Sequence, residues 1–188
     1  MNRSKQILRL TLTALLMSMN IVFSFTTLTI PTPVGNIYFC NAVINVAAVL
    51  LDPVAAFVAG GVGSLLGDLL SGYAQAMLVS LVAHGLQAMI VSLCARHLRQ
   101  MKLPLRSLLG MAAGSVWMVA AYTIGRAYIY GHKEWAYAIG KIPMEFLQAG
   151  IGIAVAMLLL FALGILESFR REIGEPFGMH EQKRSEKR

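Results

Sequence analysis

Gly60-Gly61-Val62-Gly63-Ser64-Leu65-Leu66-Gly67-Asp68-Leu69-Leu70-Ser71-Gly72-Tyr73 is the stretch on which the reading of this chain turns. It is apolar overall, yet it is crowded with glycine and carries a single acid. Glycine weakens a helix in water, whereas in a bilayer it lets two helix backbones approach closely. An ionisable side chain at that depth is costly, so Asp68 should face protein or a cavity rather than lipid. These features predict a tightly packed helical membrane bundle with a polar hole in it.

Composition points the same way. Of the 188 residues, 57% are hydrophobic and 13% charged, against a charged share of about 25% in soluble domains. Mean hydropathy is +0.66. Between Arg9 and Arg96 there is no Lys or Arg, and the only acids are Asp52 and Asp68. The net charge of +7 therefore sits in short tails and one loop, which is no signature of nucleic-acid binding. Cys40 and Cys94 should lie at opposite ends of the bundle, so no disulfide is expected between them. Basic residues before an apolar run resemble a signal peptide at the N-terminus. That run is long enough to span and shows no small-residue cleavage site, so it is read as a retained first helix.

Six segments approach the length a spanning helix needs, at about 5–27, 38–51, 53–72, 75–97, 105–130 and 138–167. The second is short and ends at Asp52-Pro53, where proline suits the first turn of the next helix. Positive charges near helix ends fix the orientation. Arg3, Lys5, Arg9, Arg96, Arg99, Lys102, Arg106 and the C-terminal basic residues fall on one side, with only Lys133 and Lys141, and Arg126 near a helix end, on the other. The expected fold is an all-α integral membrane protein, a six-transmembrane-helix bundle with both termini cytoplasmic. Residues 1–171 form its membrane domain and 172–188 a basic cytoplasmic tail.

In that arrangement the polar side chains gather in the outer half. Asn41 and Asn45 open the second helix, Asp68 and Tyr73 close the third, and Ser80, His84 and Gln87 run down one face of the fourth. Tyr122 and Arg126 approach the outer end of the fifth, and Lys141, Glu145 and Gln148 open the sixth. The inner halves read as almost purely aliphatic, which describes a cup open to the outside rather than a channel. The candidate solute-binding residues are Asn41, Asn45, His84, Gln87, Trp117, Tyr122, Arg126, Glu145 and Gln148. Each also has a structural reading. Amides and serines bond between membrane helices, Arg126 and Lys141 can snorkel, Glu145 can pair with Lys141, and Asp68 can lock neighbouring helices. Trp117 is deep enough to stack on a planar ligand or to serve as packing.

No catalytic constellation stands out. Gly63-Ser64 with His84 could suggest an intramembrane hydrolase, but the serine has no following glycine and lies below the cup. No metal-ligand spacing surrounds His84 or His132, no cofactor is expected, and without a phosphate-binding loop the chain cannot hydrolyse ATP by itself.

The runs Gly35-Asn36-Ile37-Tyr38-Phe39, Leu51-Asp52-Pro53-Val54-Ala55-Ala56 and Gly67-Asp68-Leu69-Leu70-Ser71-Gly72-Tyr73 resemble the substrate-binding S-components of energy-coupling factor (ECF) transporters. The riboflavin/hydroxymethylpyrimidine-type group is the nearest in kind. The resemblance implies a membrane subunit that captures a vitamin or vitamin precursor from outside. It would deliver the solute through a complex with a transmembrane coupling subunit and two ATPase subunits. It further implies a pocket built by the first external loop and the outer parts of helices four to six. A small-residue seam on helix one would dock on the coupling subunit, here Ala14 and Ser18, with serine where alanine is usual. The alternative from the residues alone is a stand-alone proton-coupled secondary transporter of a small polar solute, working through Asp68, Glu145 or His84.

Overall fold

The computed structural model describes residues 3–24, 30–32, 35–98, 100–129, 135–177 and 179. Helix α1 (Arg3–Ser24) leads to a small antiparallel hairpin, β1 (Ile30–Thr32) and β2 (Gly35–Ile37), with Ile30 opposite Ile37. Helix α2 (Cys40–Leu50) follows, and Asp52 and Pro53 start α3 (Pro53–Leu70) as the sequence predicts. The Asp52 carboxylate accepts the Ala55 amide at 3.3 Å, and Pro53 sits in the first turn, where a missing N–H costs nothing. Then come α4 (Met77–His97), α5 (Leu103–Tyr128), α6 (Trp135–Ala162) and the short α7 (Ile165–Glu172). Among the described residues, five helices (α1, α3, α4, α5 and α6) are long and apolar enough to cross a membrane, and α2 is a shorter apolar helix.

The sixth segment does not run through to residue 167. Helix α6 ends in a π turn, Leu158–Ala162, and Gly164 then adopts φ +72°, a left-handed conformation that breaks the helix. The apolar run Leu163-Gly164-Ile165-Leu166 crosses this break without interruption, so hydropathy alone cannot register it. Beyond it α7 buries Leu166 and Phe169 and carries Arg170 and Arg171 in its last turn.

The helices meet closely where the sequence supplies glycine. A Cβ on Gly61 would stand 2.7 Å from the Leu81 carbonyl oxygen, which brings α3 backbone-to-backbone with α4. Ile44, Val49, Leu51, Val91, Met111 and Leu160 form a fully buried core between α2, α4, α5 and α6. Large apolar side chains such as Leu10, Leu70, Val116 and Leu158 point outward instead, as lipid-facing residues do.

The inner half is not purely aliphatic. Arg96, read from sequence as one of the charges near helix ends that mark the cytoplasmic side, is only 2% exposed. Its Nη2 donates to the carbonyls of Leu51 (2.5 Å) and Phe177 (2.6 Å), its Nε also to Phe177 (2.9 Å), and its Nη1 to the Ser92 carbonyl (2.8 Å) and hydroxyl (2.7 Å). Helix C-termini leave carbonyls without intrahelical partners, and a guanidinium offers five donors in a fixed fork. Arg96 thus ties the end of α2 to the chain after α7. The Phe177 amide adds a bond to the Leu50 carbonyl at 3.1 Å. At the same end Arg9 holds Asp52 with two bonds of 2.5 and 2.7 Å, joining α1 to the link between α2 and α3. Partial burial opposes ionisation of Asp52. The Arg9 guanidinium, the Ala55 amide and the charges of Arg9 and Arg96 outweigh it and hold the carboxyl below its usual 3.8.

Candidate functional site

The opposite end of the bundle carries a cavity of about 390 Å³. It lies where α1 ends, α2 begins, α3 ends, α4 begins, α5 ends and α6 begins. Ser24 and Cys40 contribute from α1 and α2, Asp68 from α3 together with Ser64, which the sequence reading put below the cup, and Ser80 and His84 from α4. Met118, Tyr122 and Arg126 come from α5, and Tyr137, Lys141, Met144, Glu145 and Gln148 from α6. Tyr38, just after the hairpin, and Tyr73 and Ala76, between α3 and α4, complete the wall. This clustering follows from the sequence: each helix puts its polar residues at the same end, and helical spacing of three and four turns them to one face.

Two hydrogen-bonded chains organise the polar groups. Ser80 Oγ donates to Asp68 Oδ2, which leaves the Ser80 oxygen to accept the Tyr122 hydroxyl at 2.7 Å. Helices α3, α4 and α5 are joined in this way, so Asp68 both locks its neighbours and lines the cavity. In the second chain His84 Nδ1 donates to Gln87 Oε1 at 2.9 Å, because a carbonyl oxygen can only accept. Gln87 Nε2 then donates to Asn41 Oδ1 at 3.3 Å. The Tyr122 ring meets His84 edge-on at 5.4 Å between centroids, and the Arg126 guanidinium lies 5.4 Å from the same ring.

Glu145 forms an ion pair with Arg126 across the α5–α6 contact. The second Glu145 oxygen, Oε2, is buried with no hydrogen-bond partner among the described residues. Lys141 Nζ lies 5.6 Å from the Tyr137 ring centroid. Two acids and two bases therefore face one cavity, and their formal charges cancel.

Of the residues singled out from sequence, His84, Tyr122, Arg126, Glu145 and Gln148 line the cavity. Asn41, Asn45 and Gln87 do not; they are fully buried beneath it. Asn41 and Gln87 support His84 from behind, and Gly152 admits α6 against them, since a Cβ there would stand 2.7 Å from Asn41 Cβ. Both side-chain polar atoms of Asn45 lack a partner among the described residues. Trp117 turns the other way. It is 37% exposed on the outer face of α5, with Nε1 3.5 Å from the Val82 carbonyl, so it contributes no wall to the cavity. An apolar helix in lipid carries no hydropathy signal for which face is inward, and that is what misplaces a lone tryptophan. The cavity tyrosines Tyr38, Tyr73 and Tyr137, with Asp68, Ser80 and Lys141, complete the site beyond that set. Ala14 and Ser18 lie on the exposed face of α1, opposite the buried Thr13, Leu16 and Asn20. The loop Gly131-His132-Lys133-Glu134 falls outside the described residues.

Residues 4–164 match the family described as ECF-type riboflavin transporter, S component. The chain belongs to that family. No curated protein matches it. An S component is a substrate-binding transporter subunit and not an enzyme, and this one is a multi-pass membrane protein. Its polar cavity above an apolar core is the feature such a role requires.

Proposed function

We propose that this S component captures riboflavin, or a closely similar planar vitamin, at the extracytoplasmic end of a six-span bundle. Helix α2 supplies the sixth, short span beside the five long ones, and both termini are cytoplasmic. The basic residues Arg3, Lys5, Arg9, Lys102 and Arg106 cluster at the end opposite the cavity, which supports that orientation. One observation carries the reading: the cavity joins paired acids and bases to a ring of aromatic side chains and sits above a dry core. Tyr38, Tyr73, Tyr122, Tyr137 and His84 offer faces and edges to a flat ring system, and the volume falls in the range of small-molecule sites. Cancelling charges suit a neutral polar heterocycle better than an anion. Arg126, Glu145 and Gln148 would orient it, with His84 as a further hydrogen-bonding wall.

The packed core formed by Ile44, Val91, Met111 and Leu160 closes the route below the cavity. In this reading solute does not pass through the subunit as it stands, and delivery comes from movement of the subunit itself, driven by a coupling subunit and two ATPases. Ala14 and Ser18 form the small-residue seam for that coupling subunit. Two arms test this reading. Mass spectrometry of the detergent-purified protein should find a co-purifying flavin or similar heterocycle. Proteoliposomes with the chain alone should show no uptake, whereas uptake by the chain alone that collapses with the proton gradient would instead establish the secondary-transporter alternative.

A further inference from the structure

The π turn at Val58–Val62 has a consequence for the cavity wall. Within it the Gly63 amide reaches back five residues to the Val58 carbonyl, with a second contact to the Gly60 carbonyl. In an uninterrupted α-helix that amide would serve Ala59. The Ala59 carbonyl therefore needs another donor. Asn20 of α1, 1% exposed, supplies it: its Nδ2 lies 3.1 Å from the Ala59 oxygen, 3.0 Å from the Gly60 oxygen and 3.1 Å from Ser64 Oγ. The absence of a side chain on Gly63 makes the approach possible, since a Cβ there would stand 2.7 Å from the same nitrogen.

A π turn inserts one residue into the helical register. Everything after it is rotated by about 100° relative to a continuous α-helix. The residues after this turn include Ser64 and Asp68, both of which line the cavity. We propose that Asn20 is a positioning residue for the solute site: by satisfying the carbonyls of the π turn it aims Ser64 and Asp68 into the cavity. Regularising the helix would swing Asp68 away from Ser80 and out of the wall. Asn20 also lies on the helix whose other face carries Ala14 and Ser18, so the cavity wall and the partner-facing seam share one element. The assignment of Asp68 to a solute site rests on the function proposed above; the register argument does not.

The experiment is chosen to separate the two. In a Cys40→Ala/Cys94→Ala background, Asp68→Cys and Lys141→Cys report the α3 and α6 walls by their rate of reaction with a water-soluble maleimide. Stranding a buried acceptor is enough to shift a local equilibrium by about tenfold. Adding Asn20→Ala should therefore slow labelling at position 68 by that factor and leave position 141 unchanged. Equal rates at 68 with and without Asn20→Ala, in protein that remains monodisperse on gel filtration, overturn the proposal. A parallel slowing at both positions also overturns it, because it reports general loosening. If Asn20→Ala does not fold, Gly63→Ala displaces the same amide by contact and is read in the same way. A riboflavin titration runs alongside: Asn20→Ala and Asp68→Asn should each weaken binding and the double variant no further, as residues acting through one another are non-additive. Failure of the parent protein to bind riboflavin would count against the proposed solute, while the labelling rates would still decide the role of Asn20.

Discussion

Removing the Arg96 guanidinium takes away the donors of the partly buried Phe177 carbonyl and leaves the Leu51 carbonyl with the Ser92 hydroxyl alone. Arg96→Leu should lower stability by about 3 kcal/mol, seen as a fall in the thermal unfolding midpoint in detergent. Arg96→Lys should recover little of it, because one ammonium cannot reproduce the forked contacts; a wild-type midpoint for the lysine variant would contradict this role. Asp52 gives a pH signature. Its folded pKa lies below 3.8, so its contribution is complete above that pH and disappears as pH falls through the lower folded value. The stability difference between wild type and Arg9→Met should thus be level at higher pH and shrink once pH drops below 3.8. A difference that grows on acidification would refute the assignment. Arg96, Asn20 and the Arg9–Asp52 pair were not legible as tertiary contacts in the sequence. Charges near helix ends read as markers of topology, and one asparagine on an apolar helix gives no sign of its partner.

Helix α3 shows what an element takes from its neighbours. Its glycines announced close packing, and Gly61→Ala should cost about 2 kcal/mol, because α3 and α4 must separate to admit the methyl group. The measurement is again the unfolding midpoint, and an unchanged value would mean that the contact relaxes freely. Helix positions were readable from apolar length to within a few residues: α4 ends at His97 as expected, and α3 begins at Pro53. The π turns at Val58–Val62 and Leu158–Ala162 were not readable, nor was the break at Gly164. These depend on which backbone amide finds which carbonyl, and hydropathy is blind to that choice. The hairpin between α1 and α2 was expected only as a first external loop; its pairing of Ile30 with Ile37 comes from the structure.

At the scale of the molecule, polarity is divided by depth: a cavity with balanced charges at one end, an aliphatic core in the middle, and an arginine-centred knot at the other end. The first two parts were legible because each helix carries its polar residues near the same end. The third was not, since Arg96 reads in the sequence only as a charge near a helix end. The cross-helix pair Arg126–Glu145 shows the same limit, as sequence spacing offered Lys141 as the nearer partner. This pair holds α5 and α6 together at the cavity and is where the account is most exposed. The direct test is a titration of the purified protein with riboflavin, followed by the quenching of flavin fluorescence, for wild type and Glu145→Ala. The account predicts saturable, equimolar binding by wild type and a dissociation constant raised about tenfold or more in the variant, with membrane insertion unchanged. Quenching that never saturates in wild type, or the same dissociation constant for both proteins, would contradict it.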